Sequence, residues 1–273
     1  MHKVRIIPVL LLRNWGLEKS IRFGTPKYVG CPINAARVFN KNNVDELVLL
    51  DIIATREGRG PTIEIVREIA DESFMPFTVG GGIRSVDMMW ELLQAGADRV
   101  VVNSATIEFP GLIAEGAERF GRQCIVVSID VRRHENGTCE VFTHAGTRAT
   151  GLDPVEHARR MESAGAGEIF LNSIDRDGTM EGYDLDLIRR VADAVSVPVI
   201  ACGGAGNVGH LAQAVYEGHA SAVAAGAFFL FYGPRRTVLI TYPKDEELMR
   251  CFQPGHVRLK DPAAHIDMRA ARI

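Results

Sequence analysis

Short apolar runs rich in valine and isoleucine recur along the chain, at Val4–Leu12, Leu47–Ile52, Phe77–Val79, Val100–Val102, Cys124–Ile129, Ile169–Leu171, Val197–Ala201 and Ala222–Ala225. Between them the apolar positions fall three and four residues apart, as in Pro32–Phe39, Thr62–Ile69, Val86–Leu93, Leu112–Phe120, Pro154–Met161, Leu185–Val195 and Leu211–Val215. The first pattern predicts strands buried on both faces, and the second predicts helices with one apolar stripe. Strand–helix alternation implies a parallel sheet, because each crossover helix returns the chain to the same end. Eight such units in about 250 residues predict an α/β fold, a single (β/α)8 TIM barrel.

An internal repeat divides that barrel in two. Shifting the first half by 122 positions lays Asp45-Glu46-Leu47-Val48-Leu49 on Gly167-Glu168-Ile169-Phe170-Leu171. The same shift lays Pro76 on Pro198, Gly81-Gly82 on Gly203-Gly204, and Asn103-Ser104 on Ala225-Gly226. The offset holds without a gap from Asp45 to Ala105, so two pseudo-symmetric half-barrels are expected. Residues 1–252 are assigned to the barrel. Residues 253–273 are polar, aperiodic and proline-containing, and read as a loose tail.

Apolar residues make up 47% of the 273 and charged residues 24%, the balance of a globular protein. A net charge of −3 argues against a general nucleic-acid or anionic-membrane surface. The longest nearly apolar run, Ala222–Tyr232, falls short of the roughly 20 residues a membrane span requires. The first residues lack a signal-peptide pattern, so a cytoplasmic location is expected. Five scattered cysteines and eight histidines show no disulfide or metal-ligand spacing, and neither metal nor cofactor is expected.

Two glycine turns carry the first chemical signal. Gly80-Gly81-Gly82 follows the third strand, and Gly203-Gly204-Ala205-Gly206 the seventh. Glycine there lets backbone N–H groups approach an anion, and the next helix adds its positive dipole end. Asn103 and Ser104 complete one phosphate cup; Ala225 and Gly226 complete the other. A ligand with phosphates at both ends is the simplest occupant. Gly204 to Gly209 also matches GxGxxG, but the next strand ends in Ala225 rather than the acidic residue a dinucleotide site needs.

Carboxylates carry the second signal. Asp130 ends the fifth strand at the face where barrel chemistry occurs, as a general acid or base or as a partner for loop backbone. Asp51 and the Asp175-Arg176-Asp177-Gly178-Thr179 cluster lie at the same face. Laying strand 1 on strand 5 places Leu11 on Asp130, so a symmetric acid/base pair is broken. At the opposite face Arg5, Glu46, Arg99 and Glu168 stand at strand starts. Spacing alone makes them solvated rim charges or a mutually paired ring.

Arg5-Ile6-Ile7-Pro8, Asp45 to Ile52, Thr78 to Ser85, Asp175 to Thr179 and Cys202 to Asn207 together resemble the HisF family, the cyclase subunit of imidazole glycerol phosphate synthase. The similarity spans roughly residues 3–230. It implies a HisH-type glutaminase docked beneath the barrel, with ammonia passing through the core to a phosphorylated substrate at the top. It further implies an ammonia gate of Arg5, Glu46, Arg99 and Glu168, where the family usually has lysine at position 99. Implied substrate and phosphate contacts are Lys19, Gly82, Asn103, Ser104, Asp177, Gly178, Gly204, Ala225 and Gly226, with Asp130 catalytic.

The family cyclase uses two aspartates, and Leu11 stands where one of them belongs. Pro8 to Leu12, Pro26 to Gly30 and Phe231 to Ile240 instead resemble a HisF-like branch associated with acetamidino sugars of lipopolysaccharide O-antigen. That branch implies ammonia delivery to a separate sugar amidotransferase. A true cyclase, forming imidazole glycerol phosphate and AICAR in histidine biosynthesis, would need Asp51 or Asp177 as a substitute acid. A non-catalytic, ligand-binding activator of a glutaminase is the third expectation.

Overall fold

The computed structural model describes residues 4–252 and 268–270. Eight parallel strands form its centre: β1 (Arg5–Arg13), β2 (Leu47–Asp51), β3 (Phe77–Gly80), β4 (Arg99–Val102), β5 (Ile125–Arg133), β6 (Glu168–Ser173), β7 (Val199–Cys202) and β8 (Ala222–Ala225). Each pairs with the next in sequence, and β8 closes on β1 through Arg5 opposite Ala222 and Pro8 opposite Ala225. The predicted barrel is the observed one.

Helices α1 (Pro32–Lys41), α2 (Ile63–Glu72), α3 (Val86–Gln94), α4 (Leu112–Phe120), α5 (Pro154–Ser163), α6 (Leu185–Ala192), α7 (Val208–Tyr216) and α8 (Asp245–Cys251) connect or follow the strands. Ser85, Asp153, Asp184 and Asn207 cap α3, α5, α6 and α7 by accepting backbone N–H bonds, and proline opens α1 and α5. Among the described residues no helix is long and apolar enough to cross a membrane.

Strands β1 and β5 outrun their apolar cores. Past Ile129, β5 continues to Arg133 and pairs antiparallel with Cys139–Thr143, while Arg122–Cys124 is a 3-10 turn rather than the strand's beginning. Asp130 therefore sits within a paired strand, not at a free end. β1 likewise turns back on Gly16–Lys19, which pairs with Lys27–Gly30. The expected tail, 253–273, lies outside the described residues apart from Met268–Ala270, which pairs antiparallel with Thr241–Pro243.

The repeat is written into the backbone. Leu47 N–H donates to the Pro76 carbonyl at 2.9 Å, and Ile169 N–H to the Pro198 carbonyl at 2.9 Å. Gly81 and Gly203 hold φ of 113° and 91°, left-handed conformations that favour glycine. A Cβ at Gly81 would collide with the Asp51 carbonyl, and one at Gly203 would stand 2.6 Å from the Ser173 carbonyl. Each half-barrel thus needs its glycine for the same close approach. Gly203→Ala is expected to lower stability by about 1–3 kcal/mol, read as a fall in the urea midpoint.

Two packed layers result. Leu10, Leu12, Leu47, Phe77, Ile169 and Val199 face the helices, whereas Ile7, Val9, Val48, Val101, Val126, Phe170, Ile200, Ala222 and Ala224 fill the barrel's interior. Charge stands at the floor of this inner column and polarity at its roof.

Candidate functional site

The roof opens into a cavity of about 530 Å³ lined by residues of several βα loops and strand ends. Asp130 lies in its wall. Asn103 Nδ2 donates to Asp130 Oδ2 at 3.1 Å, and Asn172 Nδ2 donates to Oδ1 at 3.2 Å. Burial pushes this carboxyl up to about 7, with the Asn172 bond opposing and the Asp177 charge adding to the rise. Asp130 therefore exchanges its proton near neutral pH, the range in which a general acid or base works best.

That shift makes stability fall as pH rises. The unfolded carboxyl releases its proton near pH 4, whereas the folded one holds it to about 7. Ionisation therefore opposes folding, with the full penalty present above pH 7 and absent below about pH 4. Asp130→Asn is expected to gain about 2–4 kcal/mol relative to the unaltered chain between pH 4 and pH 8, measured by denaturant unfolding at both values.

The other carboxylates at the roof are engaged. Asp51 Oδ1 accepts the N–H groups of Ile53 and Ala54, and its Oδ2 accepts Arg59 Nη1 at 2.6 Å. Asp177 accepts Lys19 Nζ through both oxygens at 2.7 Å, in a pair with Lys19 4% and Asp177 6% exposed. Leu11, beside Leu50 in register, lines the cavity as part of an apolar wall. Burial pushes the Cys202 thiol well up, so it stays protonated.

The floor is a closed ring of ion pairs. Arg5 Nη1 donates to Glu46 at 2.8 Å and Arg5 Nη2 to Glu168 at 2.7 Å. Arg99 Nη1 donates to both Glu46 oxygens, at 3.0 and 2.9 Å, and reaches Glu168 at 3.3 Å. Thr78 Oγ1 adds a bond to Glu46 at 2.8 Å. Glu46 is the keystone: it touches both arginines and is 1% exposed.

Residues 5–233 match the family model described as histidine biosynthesis protein. The chain belongs to this family. A protein of Pseudomonas aeruginosa (strain PAO1), provisionally named imidazole glycerol phosphate synthase subunit hisF2, is 47% identical over 248 residues. The alignment covers 91% of this chain and 99% of that protein. The relationship to the HisF family read from the motifs therefore holds.

In this HisF-family barrel the two glycine cups are not equally open. Gly81, Gly82, Asn103 and Ser104 line the cavity, as do Lys19, Asp130, Asp177 and Gly226. Gly178, Gly204 and Ala225 do not. A Cβ on Gly178 would collide with the Ser20 carbonyl, and Arg22 N–H donates to the Asp177 carbonyl at 2.8 Å. The loop after β1 thus lies on the loop after β6, which in turn donates Gly182 N–H to the Gly204 carbonyl at 2.8 Å. The expected symmetry of two open hollows is broken because one loop roofs the second.

Asn172 and Arg59 make contacts with the site that the motifs did not signal, and Thr78, the first residue of the Thr78–Ser85 motif, was given no role there although it bonds Glu46. Asn172 carried the one available clue, an amide directly after the apolar run Ile169–Leu171. The 122-residue shift lays Leu50 on Asn172 just as strand alignment lays Leu11 on Asp130. One side of the roof is consequently polar (Asp130, Asn172), and the side aligned with it is apolar (Leu11, Leu50).

Proposed function

We propose that this HisF-family barrel is the ammonia-delivering synthase subunit of a glutaminase complex. It receives ammonia at the floor from a HisH-type glutaminase and releases it at the roof for amidination of a sugar, of the acetamidino type found in surface polysaccharide. Leu11 in the cavity wall carries this reading. Asp130 lacks the second proton-transfer group a cyclase needs, and Asp51 and Asp177 are bound to Arg59 and Lys19. Loss of one of two cooperating proton-transfer groups costs about 10²–10⁴-fold in rate.

The floor supports delivery. Arg5, Glu46, Arg99 and Glu168 act as a gate that opens by exchanging partners, and the column above it is apolar. Neutral ammonia enters such a column at far lower cost than ammonium does. The phosphorylated ligand binds at Gly82, Asn103 and Ser104. Binding at Gly178, Gly204 and Ala225 requires the loop after β1 to lift, which frees Lys19 for an anionic group.

One observation favours a second reading, cyclase chemistry: Asp130 titrates near neutral pH beside an open phosphate cup. Co-purification with the glutaminase, followed by a screen of phosphorylated sugars for nitrogen from amide-labelled glutamine, tests delivery. A complex that transfers label to a sugar, with a sugar amidotransferase as the third component, is the expected result. Absence of any glutaminase complex would overturn it.

A further inference from the structure

The cavity carries positive charge that nothing in the protein neutralises. Of the arginines and lysine lining it, Arg13, Lys19 and Arg59 each hold an acid: Glu18, Asp177 and Asp51. Arg56 and Arg84 line the same cavity, are exposed, and have no acid partner among the described residues. The acids nearest them in sequence are engaged elsewhere. Glu57 accepts Arg59 Nε at 2.7 Å, and Asp87 accepts Arg119 Nη1 at 3.0 Å. In a chain of net charge −3, two uncompensated arginines at one cavity reverse the sign locally.

The loops that carry them are tied to the open glycine cup. Thr55, next to Arg56, accepts the Gly82 N–H through its hydroxyl at 3.2 Å. Arg84 lies two residues beyond Gly82 and reaches back over the loop after β2: a Cβ on Gly58 would stand 3.4 Å from its Nη1. A guanidinium presents a planar fork of N–H donors that matches the oxygens of a phosphate. One phosphate in the cup is served by Gly82, Asn103 and Ser104 and leaves both arginines unused. A phosphate at the far end of a ligand cannot use them either, because that end meets the second cup, which the loop after β1 covers. The surplus charge therefore suits a second anionic group joined directly to the first.

We propose that Arg56 and Arg84 extend the open glycine cup into a diphosphate site, so that the ligand is a diphosphate ester rather than a molecule with one phosphate at each end. The inference rests on the reading of that cup as the phosphate site, and it names the ligand's class. The cup holds one phosphate, and the arginines, arriving from separate loops, hold the other. Lys19 stays with Asp177, and the loop after β1 need not lift.

The test uses the whole, uniformly 15N-labelled barrel without glutaminase, following the Gly82 backbone amide and the Asn103 side-chain amide. Sodium pyrophosphate, orthophosphate and fructose bisphosphate, whose phosphates stand at opposite ends, are added at matched ionic strength without divalent metal. Pyrophosphate is expected to saturate at a concentration about tenfold lower than either of the others. Arg56→Gln and Arg84→Gln are each expected to weaken pyrophosphate about fivefold and to leave orthophosphate unchanged. Both side chains are exposed and unpaired, so both variants keep the fold. Equal midpoints for pyrophosphate and orthophosphate overturn the proposal and leave a single-phosphate cup. Equal weakening of both anions makes the arginines steering charges only and also overturns it, as does fructose bisphosphate binding as tightly as pyrophosphate. No response to any of the three removes the cup reading as well. Co-purification with the glutaminase does not depend on these outcomes, so delivery stands or falls separately.

Discussion

Glu46→Gln is expected to let glutamine hydrolysis continue while the hydrolysed nitrogen no longer arrives at the acceptor. The substitution keeps the volume of the keystone and removes its charge. Arg5 and Arg99 are then left with Glu168 alone, and Thr78 loses a carboxylate acceptor. Breaking a buried pair from one side costs about 3–5 kcal/mol; with both arginines partly exposed, a loss of about 2 kcal/mol in stability is expected here. The decisive readout is nitrogen transferred per glutamine hydrolysed, in the complex with glutaminase. That ratio should fall to the level supported by the same ammonium free in solution. An unchanged ratio in a folded variant would remove the gate from the floor.

Leu11→Asp should produce the largest gain. It places a carboxylate in the apolar wall of the cavity that also holds Asp130, and on the proposed reading this supplies the second proton-transfer group. With the bisphosphate nucleotide precursor and ammonium salt, cyclase turnover is expected to rise by about 10²–10⁴-fold over the unaltered chain. The new charge also favours protonation of Asp130, already displaced to about 7, so the pH optimum should move upward. A correctly folded variant with no gain would mean that Leu50 and the covered second cup, not position 11 alone, separate this cavity from a cyclase.

What could be read from the sequence follows the physics of burial. Strands covered on both faces are continuous apolar runs, so Phe77–Gly80 and Ala222–Ala225 announced themselves. The helix α8 did not, because Asp245–Cys251 is short and buries only Leu248. Glycines at 81 and 203 were visible because a repeat duplicated them, and the structure supplies the reason in two equivalent carbonyl contacts. The amide of Asn172 was only faintly marked, because it follows the apolar run Ile169–Leu171 beside Ser173, and polar residues at a strand end carry no periodicity. Closure of the second cup was hidden for a different reason: Ser20 and Arg22 meet Asp177 and Gly178 across more than 150 residues, and local pattern carries no information about which loop leans on which.

Growth of a histidine-requiring strain that lacks its own cyclase subunit, carrying this chain with a HisH-type glutaminase, is the most direct measurement. With Leu11 in the cavity wall and Asp51 and Asp177 held by Arg59 and Lys19, the strain is predicted to stay dependent on added histidine. Robust growth on the unaltered chain would show that the roof still performs cyclase chemistry, and would contradict delivery as its sole role.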